Sequence, residues 1–495
     1  MTSAFPNPPA PPTDAAHLLL RPVLRRVTIA WLFGSAWMYI TSGAALTQYA
    51  KLLHVTPFGF GVLAALPFIS AMVQLPTSYV IERYGHRRAI FLWTNIVHRS
   101  LWLGIGVLPW ILPQSWWWAG LIGLMMLSSM LGHMAVPAWV SWMADLVPAR
   151  LRGRYFSRRI QYGQGVGLVI TLLVGMMLDW AQGKSADGHY LRNGISVALI
   201  LAAFSGFADI LFFFRVPDPC EHQARHRESP KVILRRVLGD RNFRFLLGYS
   251  ATMTFATAFV GQFVWLYILD VAKMSNTMAN LLLITIPLII AMICYPLWGR
   301  VIDRFGSKPA LLLAGLLVIN GATAWIFVRP ESWHWGYLFV MGSTVAWPAM
   351  DLAGFNLILR MSHSRGTLRA GSTTGAINSM VCAVAGTLSG LFAGAVAQWL
   401  GNDWQGSLFG WPLTYHGVLF IASAVLRAAA LLWVLGLQES RNFATRDALR
   451  YIMADVFSNL QEVISMPSRG LAHLGRLSYK LPWLGRETER RNRRD

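Results

Sequence analysis

Gly299-Arg-Val-Ile-Asp-Arg-Phe-Gly-Ser-Lys308 is the stretch that decides the fold, because it occurs twice. Its counterpart is Ile81-Glu-Arg-Tyr-Gly-His-Arg-Arg88. The acids (82 and 303), the arginines (83 and 304) and the glycines (85 and 306) each stand 221 residues apart. A second echo links Pro137-Ala-Trp, Asp145 and Arg152-Gly153 to Pro348-Ala-Met, Asn356 and Arg365-Gly366, at offsets of 211 to 213. The chain therefore reads as one unit duplicated in the same orientation. Glycine at 85 and 306 permits a turn between helices too tight for a side chain.

Composition fixes the solvent around that unit. Of 495 residues, 55% are hydrophobic and 13% charged, whereas soluble domains carry about 25% charged residues. So few charges cannot cover a soluble surface of this size, which makes the chain an integral membrane protein. Apolar runs long enough to cross about 30 Å of hydrocarbon lie near 27–50, 58–81, 89–112, 116–145, 160–180, 194–215, 243–268, 278–299, 309–328, 334–360, 371–399 and 414–437. The expectation is an all-α polytopic membrane protein with twelve transmembrane helices in two six-helix bundles, 27–215 and 243–437, joined by a linker at 216–242. Residues 1–26 form a proline-rich leader read as disordered. Residues 438–495 form a basic tail whose stretch Leu449 to Ile464 looks like an amphipathic surface helix.

The basic residues orient the spans. One set of connectors holds 25 Lys and Arg before the tail and the alternate set only five (Lys51, Lys184, Arg192, Lys273 and Arg329). Cytoplasmic loops carry such an excess, so both termini are expected in the cytoplasm of a plasma or inner membrane. Trp110, Trp116 to Trp118, Trp333, Trp335, Trp404 and Trp411 fall at the opposite ends, as an aromatic belt would. The net charge of +21 is then orientation and contact with anionic lipid, not nucleic-acid binding. Cys220, Cys294 and Cys382 offer neither a disulfide framework nor a metal spacing.

The duplicated loop resembles that of the major facilitator superfamily, Gly-x-x-x-Asp-Arg-x-Gly-x-Arg/Lys after the second helix of each half. Gly299, Asp303, Arg304, Gly306 and Lys308 match it; Glu82, Arg83, Gly85 and Arg87 match more loosely, with Ser78 in place of the first glycine. The resemblance covers about 27 to 437. It implies a transporter whose helices 1, 2, 4, 5, 7, 8, 10 and 11 line a central cavity. Charge pairs at the cytoplasmic loops, with Asp145 as acidic partner of Arg83 or Arg87, are expected to lock one state.

Ionisable residues inside a bilayer are rare and each is a functional candidate. Asp351 and Arg427 lie at similar depth, so Asp351 is either a proton- or substrate-linked acid or the partner of Arg427. Arg99 is expected to form a structural pair with Asp209. His133 is a candidate for proton uptake. Uncharged hydrogen-bonding residues in the lining helices (Tyr39, Gln48, Gln74, Gln161, Gln164, Gln262 and Asn378) suit a neutral or amphipathic solute. Small residues recur in helix 5 (Gly163, Gly167, Thr171, Gly175) and in helix 11 (Gly386, Gly390, Gly394), where helices can approach closely.

These residues imply a monomeric secondary active transporter of a small solute, coupled to protons and without a cofactor. No Gly-x-x-x-x-Gly-Lys-Ser/Thr loop for ATP occurs, and no catalytic constellation marks an enzyme. The rival reading is a transport-inactive sensor or scaffold that signals through the tail.

Overall fold

The computed structural model describes residues 14–184, 188–219, 239–332, 334–363, 370–401, 403–408, 410–439 and 446–450. Each of the twelve expected spans falls on a helix or a broken pair of helices. The first is α1 (Asp14–Ile40) followed by α2 (Gly43–Leu52), which meet at a 43° bend. At the break Gly43 takes a φ of 65°, and the Thr41 hydroxyl donates to Trp37 O at the end of α1. The second is α3 (Pro57–Ala71) and α4 (Gln74–Tyr84); Thr56 caps the former, with Pro57 at its first turn. Single helices follow: α5 (Arg87–Ile111), α6 (Trp117–Leu146), α7 (Ala149–Lys184), α8 (His189–Phe213) and α9 (Arg241–Leu266). The eighth span is α10 (Asn276–Asn280), a π turn at Leu281–Thr285 and α11 (Ile286–Phe305). The rest are α12 (Ser307–Ala324), α13 (His334–Thr344) with α14 (Trp347–His363), α15 (Ala370–Leu400) and α16 (Tyr415–Leu435).

By length and apolarity ten of these can cross a bilayer, or eleven with the bent α1–α2 pair. The exception is α5, whose Asn95, His98 and Arg99 lower its hydropathy; all three are buried against neighbouring helices rather than lipid.

Two departures from the sequence expectation stand out. Helix α1 begins at Asp14, inside the segment assigned to the leader, because Ala15 to Leu20 are good helix formers. Strands β1 (Gln405–Leu408) and β2 (Trp411–Thr414) add an antiparallel hairpin to an otherwise helical chain. Its turn is eased by Gly410 at φ 80°. Most of the linker, the end of the amphipathic tail and the Arg365-Gly366 echo lie outside the described residues.

The cores explain the shape. One buried cluster draws only on Val27 to Val216, and a second only on Phe243 to Ala448. The third, running from Ala44 to Phe420, takes side chains from both halves. It sits at the face away from the duplicated loops. The halves are thus fused at that face and have separate cores at the basic face.

Candidate functional site

The fused face is closed by backbone contact and by one carboxylate. A Cβ on Gly61 of α3 would lie 2.4 Å from Gly394 Cα and 2.5 Å from Gly390 O of α15. A Cβ on Gly175 of α7 would lie 2.6 Å from Thr277 Cα. Across the same seam Asp179 of α7 accepts four hydrogen bonds from the start of α10. They come from Asn276 N (2.7 Å), Asn276 Nδ2 (2.9 Å), Thr277 N (3.0 Å) and Thr277 Oγ1 (2.6 Å). A negative carboxylate at a helix start meets both unpaired N–H groups and the positive end of the dipole. Gln48 Nε2 donates to Asn276 Oδ1 (2.8 Å), Ala44 N to Asn280 Oδ1 (3.1 Å), and Asn280 Nδ2 to Thr171 O (3.1 Å). Lys51 and Asp270 pair beside them. An open cavity of about 600 Å³ overlies the seam, lined by Lys51, Asp179, Gln182 and Lys273 among others.

Beneath the seam, helical periodicity shows which side chains continue the helix faces that meet there. On α7 the row Gly175, Thr171 continues to Gln164 and Gln161, seven and ten residues below Thr171, about 10 and 15 Å by helical rise. Gln161 is exposed and Gln164 half-buried. On the eighth span the row Asn280, Ile284 continues to exposed Tyr295, about 16 Å below Ile284. Tyr295 Oη donates to Asp351 Oδ2 at 3.2 Å. Asp351 is exposed, and Tyr249 of α9 lies near enough to feel its charge. Asn378, on α15 two turns below Gly386, donates to Cys382 Sγ at 3.9 Å and leaves its Oδ1 unpartnered. Gln74 and Gln262 are half-buried.

Several expected site residues sit elsewhere. Gln48 belongs to the seam. Tyr39 packs its ring on Gly167, where a Cβ would lie 2.2 Å away. His133 donates Nδ1–H to Ser129 O of its own helix (2.9 Å), as helical polar groups often do. Arg427 does not pair with Asp351: α16 turns it toward α12, where it donates to Val318 O at 2.8 Å. The glycine rows also divide, since Gly163 and Gly167 receive Trp31 and Tyr39 from the same half while Gly175 meets the other half.

At the basic face the duplicated loops are anchored within each half. Arg87 contacts Asp218 through Nε (3.0 and 3.1 Å) and Nη2, Asp145 through Nη1 (2.5 Å), and Ser141 O and Oγ (3.0 Å each). Burial works against the charge of Arg87, but the two carboxylates outweigh it and hold the guanidinium ionised. In the second half Glu439 accepts from Ser307 N and Lys308 N (3.0 Å each) and from Arg360 Nη1 (2.6 Å). Gly306 has a φ of 95°, and a Cβ there would lie 2.7 Å from Glu439 Oε2. Lys308 Nζ donates to Leu435 O and Leu437 O, and Arg83 donates to Tyr79 Oη. A Cβ on Gly299 would meet nothing within 4 Å, so packing places no demand on that position. Among these contacts is the pair of Asp145 with Arg87, and Asp218 and Glu439 hold the two loops alongside it. Asp218→Asn is expected to cost about 3 kcal/mol, because Arg87 would keep a buried charge without its main partner. Thermal unfolding in detergent would register this, and Asp145→Asn, on a more exposed acid, should cost less.

A family model of the Major Facilitator Superfamily matches residues 27–390. The chain belongs to the Major Facilitator Superfamily. Solved structures share the fold at low identity. The nucleoside transporter NupG aligns with a TM-score of 0.60 and 12% identity, over 84% of this chain and 98% of its own. The xylose transporter XylE from E. coli, in a partially occluded inward open conformation, gives 0.58 and 13%, over 85% and 99%. A bacterial homolog of the human lysosomal transporter Spinster, inward-facing and unoccupied, gives 0.57 and 14%, over 84% and 94%. No curated protein matches the sequence.

Within this superfamily fold, three acids escaped the sequence reading. Asp218 and Glu439 are themselves 221 residues apart, the spacing of the duplicated loop, and that arithmetic was the available signal. Asp179 left no such trace, since its partners on α10 are brought to it only by the tertiary fold. The N-terminal half also holds a buried polar cluster. Arg99 pairs with Asp209 at 3.2 Å and lies 3.6 Å from the centroid of Trp37, while Arg159 stacks between Trp31 and Trp139. Gly34 leaves room for the Asp209 carboxylate. These contacts rivet α1, α5, α7 and α8 together, away from the cavity row of α7.

Proposed function

We propose that this protein is a twelve-crossing secondary active transporter that moves a small solute by alternating access, coupled to protons. Its halves, 27–215 and 243–437, rock about a midplane site. Both termini and the basic loops face the cytoplasm of a plasma or inner membrane, where they meet anionic lipid, and the working unit is a monomer. The excess of 25 basic residues over five supports that orientation. The arrangement is then an inward-facing state, sealed outside by Asp179 and the glycine contacts. The observation that carries the reading is the pattern of cores: separate at the basic face, common at the other. Solute binding falls to Asp351, Tyr295, Gln161, Gln164 and Asn378, the polar groups on the cavity rows.

The test is proton movement in liposomes. Reconstituted protein loaded with a pH-sensitive dye should move protons when a transported solute is added, and Asp351→Asn should cut that flux at least tenfold. Unchanged flux in Asp351→Asn would remove the acid from the mechanism. Truncation after Arg450 should leave transport intact, and transport that persists without the tail excludes the sensor reading.

A further inference from the structure

The N-terminal half buries two guanidinium groups and one carboxylate in a single polar cluster. Arg99, Arg159 and Asp209 are 6%, 8% and 7% exposed. Asp209 pairs with Arg99 at 3.2 Å, and among the described residues no other carboxylate reaches either arginine. Arginine keeps its charge in a protein interior, so the cluster holds one positive charge in excess. That charge falls on Arg159. Among the described residues its guanidinium makes no hydrogen bond and no ion pair; it lies 4.2 Å from the ring centroid of Trp31 and 4.8 Å from that of Trp139. Its Nε is enclosed and unpartnered, and so are Trp31 Nε1 and Ser35 Oγ on α1. A Cβ on Gly163, one turn along α7 from Arg159, would lie 2.1 Å from Trp31 Nε1 and 2.7 Å from Ser35 Oγ. The indole N–H and the hydroxyl therefore stand together where α1 meets α7, beside the guanidinium that Trp31 covers. Cation–π contact offsets part of the cost of burying the charge but gives the N–H groups no acceptor.

We infer that Arg159, Trp31 and Ser35 form a binding site for a small monovalent inorganic anion of the halide class, buried between α1 and α7. The site belongs to the framework of the N-terminal half and holds whatever solute is carried. An isolated buried charge is costly, and one counter-ion removes that cost. The anion balances the cluster and accepts from the guanidinium, the indole N–H and the serine hydroxyl, which ties α7 to α1. Charge sets the class: one excess positive charge is met by one monovalent ion, whereas a dianion would leave the cluster negative. Shape narrows it further. The two indoles cover the faces of the guanidinium, so an anion meets it at the edge, in the plane of its N–H groups. The close contact of the helices at Gly163 favours a bare spherical ion over a polyatomic one. Arg159 lies ten residues from the start of α7, so the ion enters from the basic face.

The experiment follows thermal unfolding of the full-length protein in detergent, in sodium chloride, sodium bromide or sodium gluconate at one ionic strength. Both halides should raise the unfolding temperature by several degrees over gluconate, and chloride titrated into gluconate should saturate. Arg159→Gln should abolish the halide response. Trp31→Phe, which keeps the ring and deletes the N–H, and Ser35→Ala should each raise the half-saturating chloride concentration roughly two- to tenfold. Arg158→Gln, on the exposed neighbour, is the control and should respond as the wild type does. Crystals grown in bromide should show an anomalous peak beside Arg159, between α1 and α7. Equal unfolding temperatures of the wild type in halide and gluconate overturn the inference. So does a halide response that persists in Arg159→Gln, or one lost equally in Arg158→Gln, which marks a general surface effect. If Arg159→Gln does not fold, the milder variants decide: unchanged half-saturation in both Trp31→Phe and Ser35→Ala overturns the site, and a rise in both supports it.

Discussion

Asp179→Asn is expected to shift the protein from the inward-facing to the outward-facing state by at least tenfold. The wild-type carboxylate takes four hydrogen bonds from Asn276 and Thr277 across the seam. Hydrogen bonds to a charged group are worth about 1.5–3 kcal/mol each, and they are not additive within one cluster. The asparagine keeps one acceptor oxygen but turns an NH2 toward N–H donors, and it gives up the favourable charge at the helix start. A net loss of about 2 kcal/mol corresponds to roughly a 30-fold change in population. Spin labels at the outer ends of α7 and α11 would read the change as a second, longer distance. Asp270→Asn provides the comparison: its pair with Lys51 is 32% exposed on one side and 42% on the other, and such pairs contribute about 0.2–1 kcal/mol. Equal shifts in the two variants would mean that the cap on α10 is not what holds the seam.

Much of this architecture was legible in the sequence because bilayers restrict the options. Backbone polar groups must be satisfied internally, so long apolar runs become helices and each expected span finds one. The duplicated loop was legible because a turn at Gly85 or Gly306 tolerates few residues. The cavity residues were half legible. Asp351, Gln161 and Gln164 stood out as polar groups in apolar helices, and Gln161 and Gln164 continue the α7 face that meets the seam. Gln48, Tyr39 and Arg427 stood out for the same reason but face seam, neighbour helix and far wall. Periodicity identifies the face of a helix without telling which helix that face will meet. The seam was the least legible part, since Asp179 sits 97 residues from Asn276 and no spacing rule joins them.

The second large effect is expected where side chains are absent. Gly61 on α3 and Gly390 and Gly394 on α15 bring two backbones together: a Cβ on Gly390 would lie 2.7 Å from Ala65 N and 2.8 Å from Gly61 O. Both partners are main chain, so neither can swing aside as a flexible side chain would. Gly390→Val therefore cannot be absorbed locally, and overpacking of this kind costs about 1–3 kcal/mol or more. An ordinary core would answer by losing stability. A rocking machine has a cheaper response, because in the outward-facing state this seam is open and the valine has room. Gly390→Val should thus populate the outward-facing state, raise external labelling of a cysteine at Gln398, and cut transport more than tenfold, with little change in thermal unfolding. Gly165→Val on α7, where nothing lies within 4 Å, is the matched control and should transport normally. If Gly390→Val lowers the unfolding temperature by several degrees and labelling does not rise, the contact is a static weld, and the pivot must lie elsewhere.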